Sequence, residues 1–193
     1  MEKGVFLDRD GVINPNLVNE INGQLESPYY PKDFELFPWT VESLRKLQEN
    51  NFHLFLISNQ PSYAKGKASL ENLKAIHRKF TSILRDNQVV FKEFFYCYHH
   101  PKGTVPELSI VCDCRKPGTY FLEEARRKHS LDMNLCWMIG DRDSDIICGA
   151  KAGVKTILIL DKQEAGGEKL GKSAPDFTAN NLLDAANIII ERS

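Results

Sequence analysis

No apolar run in the chain approaches the roughly 20 residues that a membrane-crossing helix needs, so nothing in it is expected to span a bilayer. Net charge is nearly absent too: 25 Lys and Arg stand against 26 Asp and Glu, for a formal −1. Such a balance gives no global positive field to hold nucleic acid or an anionic membrane. Any phosphate must therefore be held by a local site. No export signal is expected either, because Met1-Glu2-Lys3-Gly4 leads into an apolar run too short, and too acidic at its end in Asp8, for a signal peptide. The expected location is cytoplasmic, in a reducing compartment, where clustered cysteines bind metal more often than they form disulfides. Internal repeats and linker-like stretches are also lacking. What remains is 193 residues, 42% hydrophobic and 26% charged, which fits one domain over 1–193 with a full core. Net charge says nothing of protein partners, and a monomer is expected.

Apolar runs and punctuating residues predict alternating strands and helices. Strands are expected at Val5–Leu7, His53–Ile57, Phe94–Tyr96, Cys136–Ile139 and Val154–Leu160. Helices are expected from Pro38 to Asn50-Asn51, from the cap Ser69 with Leu73, Ile76, Phe80 and Ile83 on one face, over Tyr120–His129, over Asp145–Ala152 and over Asn180–Glu191. The Asn-, Gly- and Pro-rich stretch from Gly11 to Pro31 reads as turns or a small hairpin flap. Residues 97–116 read as an aperiodic loop, Gly166-Gly167 as a mobile turn, and Lys162 to Lys172 as a solvated loop. Alternation of this kind implies parallel strands with right-handed crossovers, hence a three-layer α/β/α sandwich around a Rossmann-like sheet, with no large cap. Ligands then sit beyond the carboxyl ends of the strands. Asp8, Ser58 and Asp141 each fall just past a predicted strand, and the 97–116 loop follows another.

Asp8-Arg9-Asp10-Gly11 places two carboxylates two residues apart. In an extended chain they would face opposite ways, so a sharp turn must gather them, and Gly11 permits one. One can attack phosphorus to give an aspartyl phosphate. The other can protonate the leaving oxygen and later take a proton from water. Two anions facing a phosphate need a hard cation, for which Mg²⁺ is the usual choice, with Asp141 as the natural further ligand. Asp145 is placed to support the same site or merely to serve its helix dipole. Ser58 and the backbone of Asn59 and Gln60 offer donors to phosphate, Lys116 a compact positive charge, and Arg115 a forked contact. An Asp-x-Asp-Gly alone is as often a plain turn. The combination at one sheet edge favours catalysis.

Cys97-Tyr98-His99 and Cys112-Asp113-Cys114 form a C-x-H…C-x-C pattern. Three thiolates and one imidazole make a closed tetrahedral Zn²⁺ site of the structural type, with Cys97, His99, Cys112 and Cys114 as ligands and His100 as a substitute for His99. An aperiodic polar loop has no core in which to bury cysteines as small hydrophobes. Zinc there would stiffen the loop carrying Arg115 and Lys116. Cys136 and Cys148 read as core residues.

The segments Leu7-Asp8-Arg9-Asp10-Gly11-Val12-Ile13-Asn14, Ile57-Ser58-Asn59-Gln60, Arg115-Lys116-Pro117 and Ile139-Gly140-Asp141-Arg142-Asp143-Ser144-Asp145 stand in the order of the four motifs of haloacid dehalogenase-like phosphatases. This resemblance spans most of the chain. It implies Asp8 as nucleophile, Asp10 as general acid and base, Ser58 and Lys116 as phosphate binders, and Mg²⁺ held by Asp8, the Asp10 carbonyl and Asp141. The cysteine loop resembles that of the heptose 1,7-bisphosphate 7-phosphatases, a group close to the histidinol-phosphate phosphatases. It implies a small phosphorylated sugar as substrate, lined by Asn16, Leu17, Val18, Asn19, Ser58, Asn59, Gln60, Pro61, Arg115, Lys116 and Arg142. The chain departs from that group with Ser58 for Thr, Pro61-Ser62 for Ser-Gly, Trp39 for Gly and Arg142 for Lys, the last three where the sugar would sit. A rival of another class is a zinc-stabilised binding module without catalysis. His53, His77 and His129 are expected to be structural, and Tyr29, Tyr30 and Trp39 to pack the flap rather than cover a substrate.

Overall fold

In the computed structural model, which describes residues 2–160 and 174–193, the first strand is β1 (Gly4–Leu7), buried throughout. A two-stranded antiparallel hairpin follows, β2 (Leu17–Val18) and β3 (Leu25–Glu26), with Leu17 opposite Glu26. This is the expected flap. Then come α1 (Thr40–Glu49), β4 (His53–Asn59), α2 (Leu70–Asp86), β5 (Phe91–Cys97), α3 (Tyr120–His129), β6 (Trp137–Gly140), α4 (Asp143–Ala152), β7 (Lys155–Ile159), β8 (Phe177–Ala179) and α5 (Leu182–Glu191). Among the described residues the main sheet runs β5-β4-β1-β6-β7-β8, and every neighbouring pair is parallel. The turn at Gly166-Gly167 and the loop expected over 162–172 lie outside the described residues.

Alternation along the strands builds two cores. Val5, Leu7, Leu54 and Leu56 face one side and pack with Leu44 and Leu47 of α1, Ile76 and Phe80 of α2, and Leu182 and Ala185 of α5. Phe6, Phe55, Ile57 and Met138 face the other side and meet Leu122 and Ala125 of α3 and Cys148 and Ala152 of α4. Strands buried on both faces read as continuous apolar runs, which is why the sequence shows no alternation there.

Several boundaries differ from expectation. Helix α1 begins at Thr40, since Pro38 and Trp39 form the turn before it. Leu84 rather than Ile83 completes the buried stripe of α2, whose Ser69 cap accepts from Asn72 N as expected. β4 runs on through Ser58 and Asn59, and β5 starts at Phe91. β8 was not foreseen, being only three residues long and half-exposed at Phe177.

The chain leaves β1 outward to β4 and β5, then returns on the other side of β1 as β6. The carboxyl ends of β4, β1 and β6 therefore flank the switch point, where an open parallel sheet leaves its crevice.

Candidate active site and metal centres

Asp8 follows β1 directly, and its backbone N–H donates to Ile139 O at 3.0 Å, fixing it beside β6. The chain then turns sharply. Ile13 N and Asn14 N both donate to Arg9 O, at 2.8 and 3.1 Å, and Gly11 sits at φ +88°. A side chain there would be strained by that φ and would also lie 2.2 Å from Asp141 Oδ2. The turn sets both carboxylates on the wall of one cavity, and glycine lets Asp141 approach it.

Around Asp8 the charges are dense. Lys116 Nζ lies 2.9 Å from Asp8 Oδ1 and 2.8 Å from Asp145 Oδ1, and donates to Ile57 O at 2.7 Å. Oxygens of Asp8, Asp141 and Asp145 lie within 4.8 Å of one another, in a set that could hold a metal ion. Asp141 Oδ1 is buried with no hydrogen-bond partner. Burial lifts Asp8 to about 6, with Asp145 and Asp10 adding to it against the pull of Lys116. Burial, then Asp8 and Asp145, drive Asp141 well above the carboxylate range. Burial would lower Lys116, but Asp145 and Asp8 more than reverse it. One ammonium among three carboxylates leaves negative charge over, and an unpaired buried oxygen costs energy. The donor set fits a hard divalent cation. Asp145 also accepts from Arg142 N at 3.1 Å, and Gly140 makes room for it, since a Cβ there would meet Asp145 Cβ at 2.1 Å.

Asp10 points to a different set of partners. Arg9 forks onto it, Nε and Nη2 reaching Oδ1 at 3.1 and 3.0 Å, and Nη2 reaching Oδ2 at 3.2 Å. Asn14 Nδ2 donates to Oδ1 at 3.0 Å and Gln60 Nε2 to Oδ2 at 2.6 Å. Burial alone would lift Asp10; Arg9 and the bonds from Asn14, Gln60 and Ser27 outweigh it and hold the group below its usual range.

A cavity of about 220 Å³ opens over these groups. Its walls include Asp8, Asp10, Asn59, Pro61, Arg115, Lys116 and Arg142, all foreseen, and Lys65, Lys67, Tyr29 and Gln24 to Ser27, which were not. Ser58 and Gln60 are buried behind the wall, where Gln60 Nε2 donates to Ser58 Oγ at 2.9 Å. Asn59 is a clamp as well as a wall: its amide donates to Lys116 O and accepts from Lys116 N, both at 3.1 Å. Asn16, Leu17, Val18 and Asn19 are not among the lining residues, because the second strand of the flap and the turn after it face the cavity. Asn19 instead closes the hairpin, accepting from Ile21 N and donating to Glu26. Tyr29 hydrogen-bonds Glu26 and faces the cavity, contrary to a packing role alone, whereas Trp39 stacks on Phe37 at 5.0 Å. Lys67 pairs with Glu26. Burial, then Arg115 and Lys67, push Lys65 below the usual lysine range, so cations crowd one side of the opening.

The cysteine loop gathers a second metal-like set. Cys97, Cys112 and Cys114 have Sγ–Sγ separations of 3.3 to 3.6 Å, and His99 Nδ1 lies 3.4 and 3.8 Å from two of them. These are near the edge lengths of a tetrahedron built on zinc–thiolate bonds of about 2.3 Å. His100 Nδ1 instead accepts from Lys102 N at 3.1 Å, within its own turn. Cys136 and Cys148 are buried core residues, as expected. The histidines outside the loop take structural partners: His53 with Glu2, His77 with Tyr96, His129 against Phe55.

A haloacid dehalogenase-like fold with an Asp-x-Asp turn at its switch point is a class in itself, and comparison with known proteins agrees. The HAD-hydrolase-like family model matches residues 113–185. The D-glycero-alpha-D-manno-heptose-1,7-bisphosphate 7-phosphatase of Photorhabdus laumondii is 32% identical over 97% of this chain and 96% of its own. The D-glycero-beta-D-manno-heptose-1,7-bisphosphate 7-phosphatase of Escherichia coli K12 is 32% identical over 96% and 92%. The crystal structure of D,D-heptose 1,7-bisphosphate phosphatase from B. bronchiseptica, complexed with magnesium and phosphate, superposes with TM-score 0.77 at 23% identity over the full length of both chains. The chain belongs to the haloacid dehalogenase-like hydrolases, among their phosphoric monoester hydrolases. The relatives it resembles along its whole length carry heptose bisphosphate phosphatase names.

Proposed function

We propose that the chain hydrolyses the 7-phosphate of a D-glycero-D-manno-heptose 1,7-bisphosphate in the cytoplasm, through an aspartyl phosphate on Asp8, with Mg²⁺ at the carboxylate cluster and structural Zn²⁺ in the cysteine loop. The observation that carries the chemistry is Asp8 at the cavity wall, 2.9 Å from Lys116 and within reach of Asp141. Arg9 N and Lys116 Nζ both engage Asp8 Oδ1, which leaves Oδ2 to attack phosphorus. As that bond forms, the bond from phosphorus to the sugar oxygen breaks and Asp10 supplies the proton this oxygen needs. A water molecule then attacks the phosphorylated Asp8, Asp10 takes its proton, and phosphate leaves. Asp10 is held ionised in the free site, and an incoming phosphate dianion raises its proton affinity. Lys116 neutralises charge on the transferring group. Asp8, Asp141 and the Asp10 carbonyl would hold Mg²⁺, with Asp145 beside them. The ion supplies charge neutralisation that lets an anionic carboxylate meet an anionic phosphate.

The substrate reading is supported by the full-length relatives and by the cationic side of the cavity. A bisphosphate carries a second dianion for Lys65, Arg115 and Arg142 to meet. Histidinol phosphate carries an ammonium group and an imidazole where the bisphosphate carries its second dianion, and a cationic rim disfavours that exchange of charge. A steady-state comparison tests it: kcat/KM for heptose bisphosphate, in both anomers, should exceed that for histidinol phosphate and simple sugar monophosphates. Equal turnover of all would contradict the substrate. Phosphosugar binding without phosphate release in the presence of Mg²⁺ would favour the non-catalytic binding module instead.

A further inference from the structure

We propose that Arg9 is a positioning residue for Asp10, fixing the direction in which that carboxyl group gives its proton to the leaving oxygen. This rests on the phosphatase reading above. Arg9 lies between the two carboxylates in sequence, yet its side chain is only 1% exposed. Burying a guanidinium is costly unless it is paired, and an apolar residue in its place would avoid that cost. The pairing here is specific. The fork grips both oxygens of Asp10, and Nη2 also donates to Gln60 Oε1 at 3.0 Å, while Gln60 returns a bond to Asp10 Oδ2. Tyr96, whose hydroxyl lies 3.0 Å from His77 Nδ1, stands near the same guanidinium and couples to it electrostatically, and the Phe34 ring lies 5.7 Å from its Cζ. The backbone of Arg9 closes the turn, taking Ile13 N and Asn14 N on its carbonyl and giving its N–H to Asp8 Oδ1 at 2.7 Å. A planar fork fixes the plane of a carboxylate in a way a point charge cannot. A general acid works only when its proton points at the receiving atom over hydrogen-bond distance. The Arg9 fork therefore sets where Asp10 aims when the phosphorus–oxygen bond to the sugar breaks and the bond to Asp8 forms.

The test uses the leaving group. kcat/KM reports steps only as far as phosphoryl transfer with release of the alcohol. An alkyl phosphate needs a proton on its leaving oxygen; p-nitrophenyl phosphate leaves as a stabilised phenolate and needs little help. Arg9→Lys keeps the charge and removes the fork. We expect kcat/KM to fall roughly 30-fold for the alkyl ester, inside the range general acid catalysis contributes, and less than about threefold for the aryl ester. Parallel losses for both esters, or no loss for either, overturn the positioning role. Should Arg9→Lys fail to fold, Gln60→Glu, which alters the bond from Arg9 Nη2 and the bond to Asp10 Oδ2, should show the same divergence in smaller measure, and parallel behaviour there overturns the role equally. With heptose 1,7-bisphosphate as the alkyl ester, a wild-type enzyme that releases no phosphate from it contradicts the proposed function itself, and the positioning role with it.

Discussion

Asp8 and Asp10 differ by two positions in sequence and face opposite demands. Asp8 sits among Asp141, Asp145 and Lys116, where burial lifts it to about 6. Asp10 is gripped by Arg9 and held low. In the proposed mechanism the attacking carboxylate therefore holds its proton more tightly than the acid–base group does. Asp8→Asn should lower kcat by roughly 10³-fold or more, because an amide is a poor nucleophile and residues acting as a unit fail together. Steady-state phosphate release checks this, and near-wild-type turnover would refute the role of Asp8. The lifted Asp8 also sets a pH dependence. In the metal-free protein Asp8 keeps its proton up to about 6 and Asp141 is held protonated above the usual carboxylate range, so Mg²⁺ displaces more protons the lower the pH. Magnesium affinity should therefore rise as pH increases through about 6, measured by calorimetric titration of the metal-stripped protein. An affinity independent of pH between 5 and 7 would contradict the charge balance drawn for the cluster.

At the scale of elements, the site is joined by loops that hold one another. Asn59 at the end of β4 clamps the backbone of Lys116. Ala64 O accepts from Thr104 N at 2.7 Å, tying the cysteine loop to the turn that carries Lys65. Arg115 donates to His99 O at 3.4 Å. Cys112→Ser should therefore lose bound metal and lower Tm by roughly 5 °C or more, at about 2–4 °C per kcal/mol for a domain of this size, with activity declining because Lys116 loses its support. Zinc content by elemental analysis and a thermal melt check it; unchanged zinc would remove the metal from this loop. Most of this framework was legible in the sequence. The motif ends of β1 and β6 were readable because a buried parallel strand is a bare apolar run that stops at a polar residue. The gathering of Cys97, His99, Cys112 and Cys114 was readable because their spacing is chemical rather than periodic. Arg9 was not: a charged residue at a strand end reads as solvated, and only the fold shows it turned inward. Lys65 and Lys67 were hidden for a similar reason, lying in a glycine-broken turn that looks like any exposed loop. The flap was found as a hairpin, but two strands of two residues each give no pattern to say which side faces the site.

For the whole molecule, charge is arranged rather than abundant. The net charge is −1, yet the cavity joins a carboxylate cluster to a rim of Lys65, Lys67, Arg115 and Arg142. That pairing of a cation-seeking floor with an anion-seeking rim suits a substrate with two phosphates. Lys65→Ala should raise KM for a bisphosphate by about tenfold, the cost of one charge-assisted contact of roughly 1.4 kcal/mol, while leaving a monophosphate within about twofold. Equal effects on both would mean that Lys65 does not meet the second phosphate. The fold supports this placement because the cavity opens at the switch point between β4, β1 and β6, while the turn after β4, the cysteine loop after β5 and the turn after β6 bring Lys65, Lys67, Arg115 and Arg142 around it. No helix among the described residues is long and apolar enough to cross a membrane.

The claim on which the rest depends is that phosphorus becomes bonded to Asp8. Acid quenching of the enzyme during turnover, followed by peptide mapping by mass spectrometry, tests it directly. A phosphate adduct on the peptide that contains Asp8, missing in Asp8→Asn, is the predicted result. An actively turning-over enzyme with no adduct there, under conditions where phosphoryl transfer outruns hydrolysis of the intermediate, would contradict it.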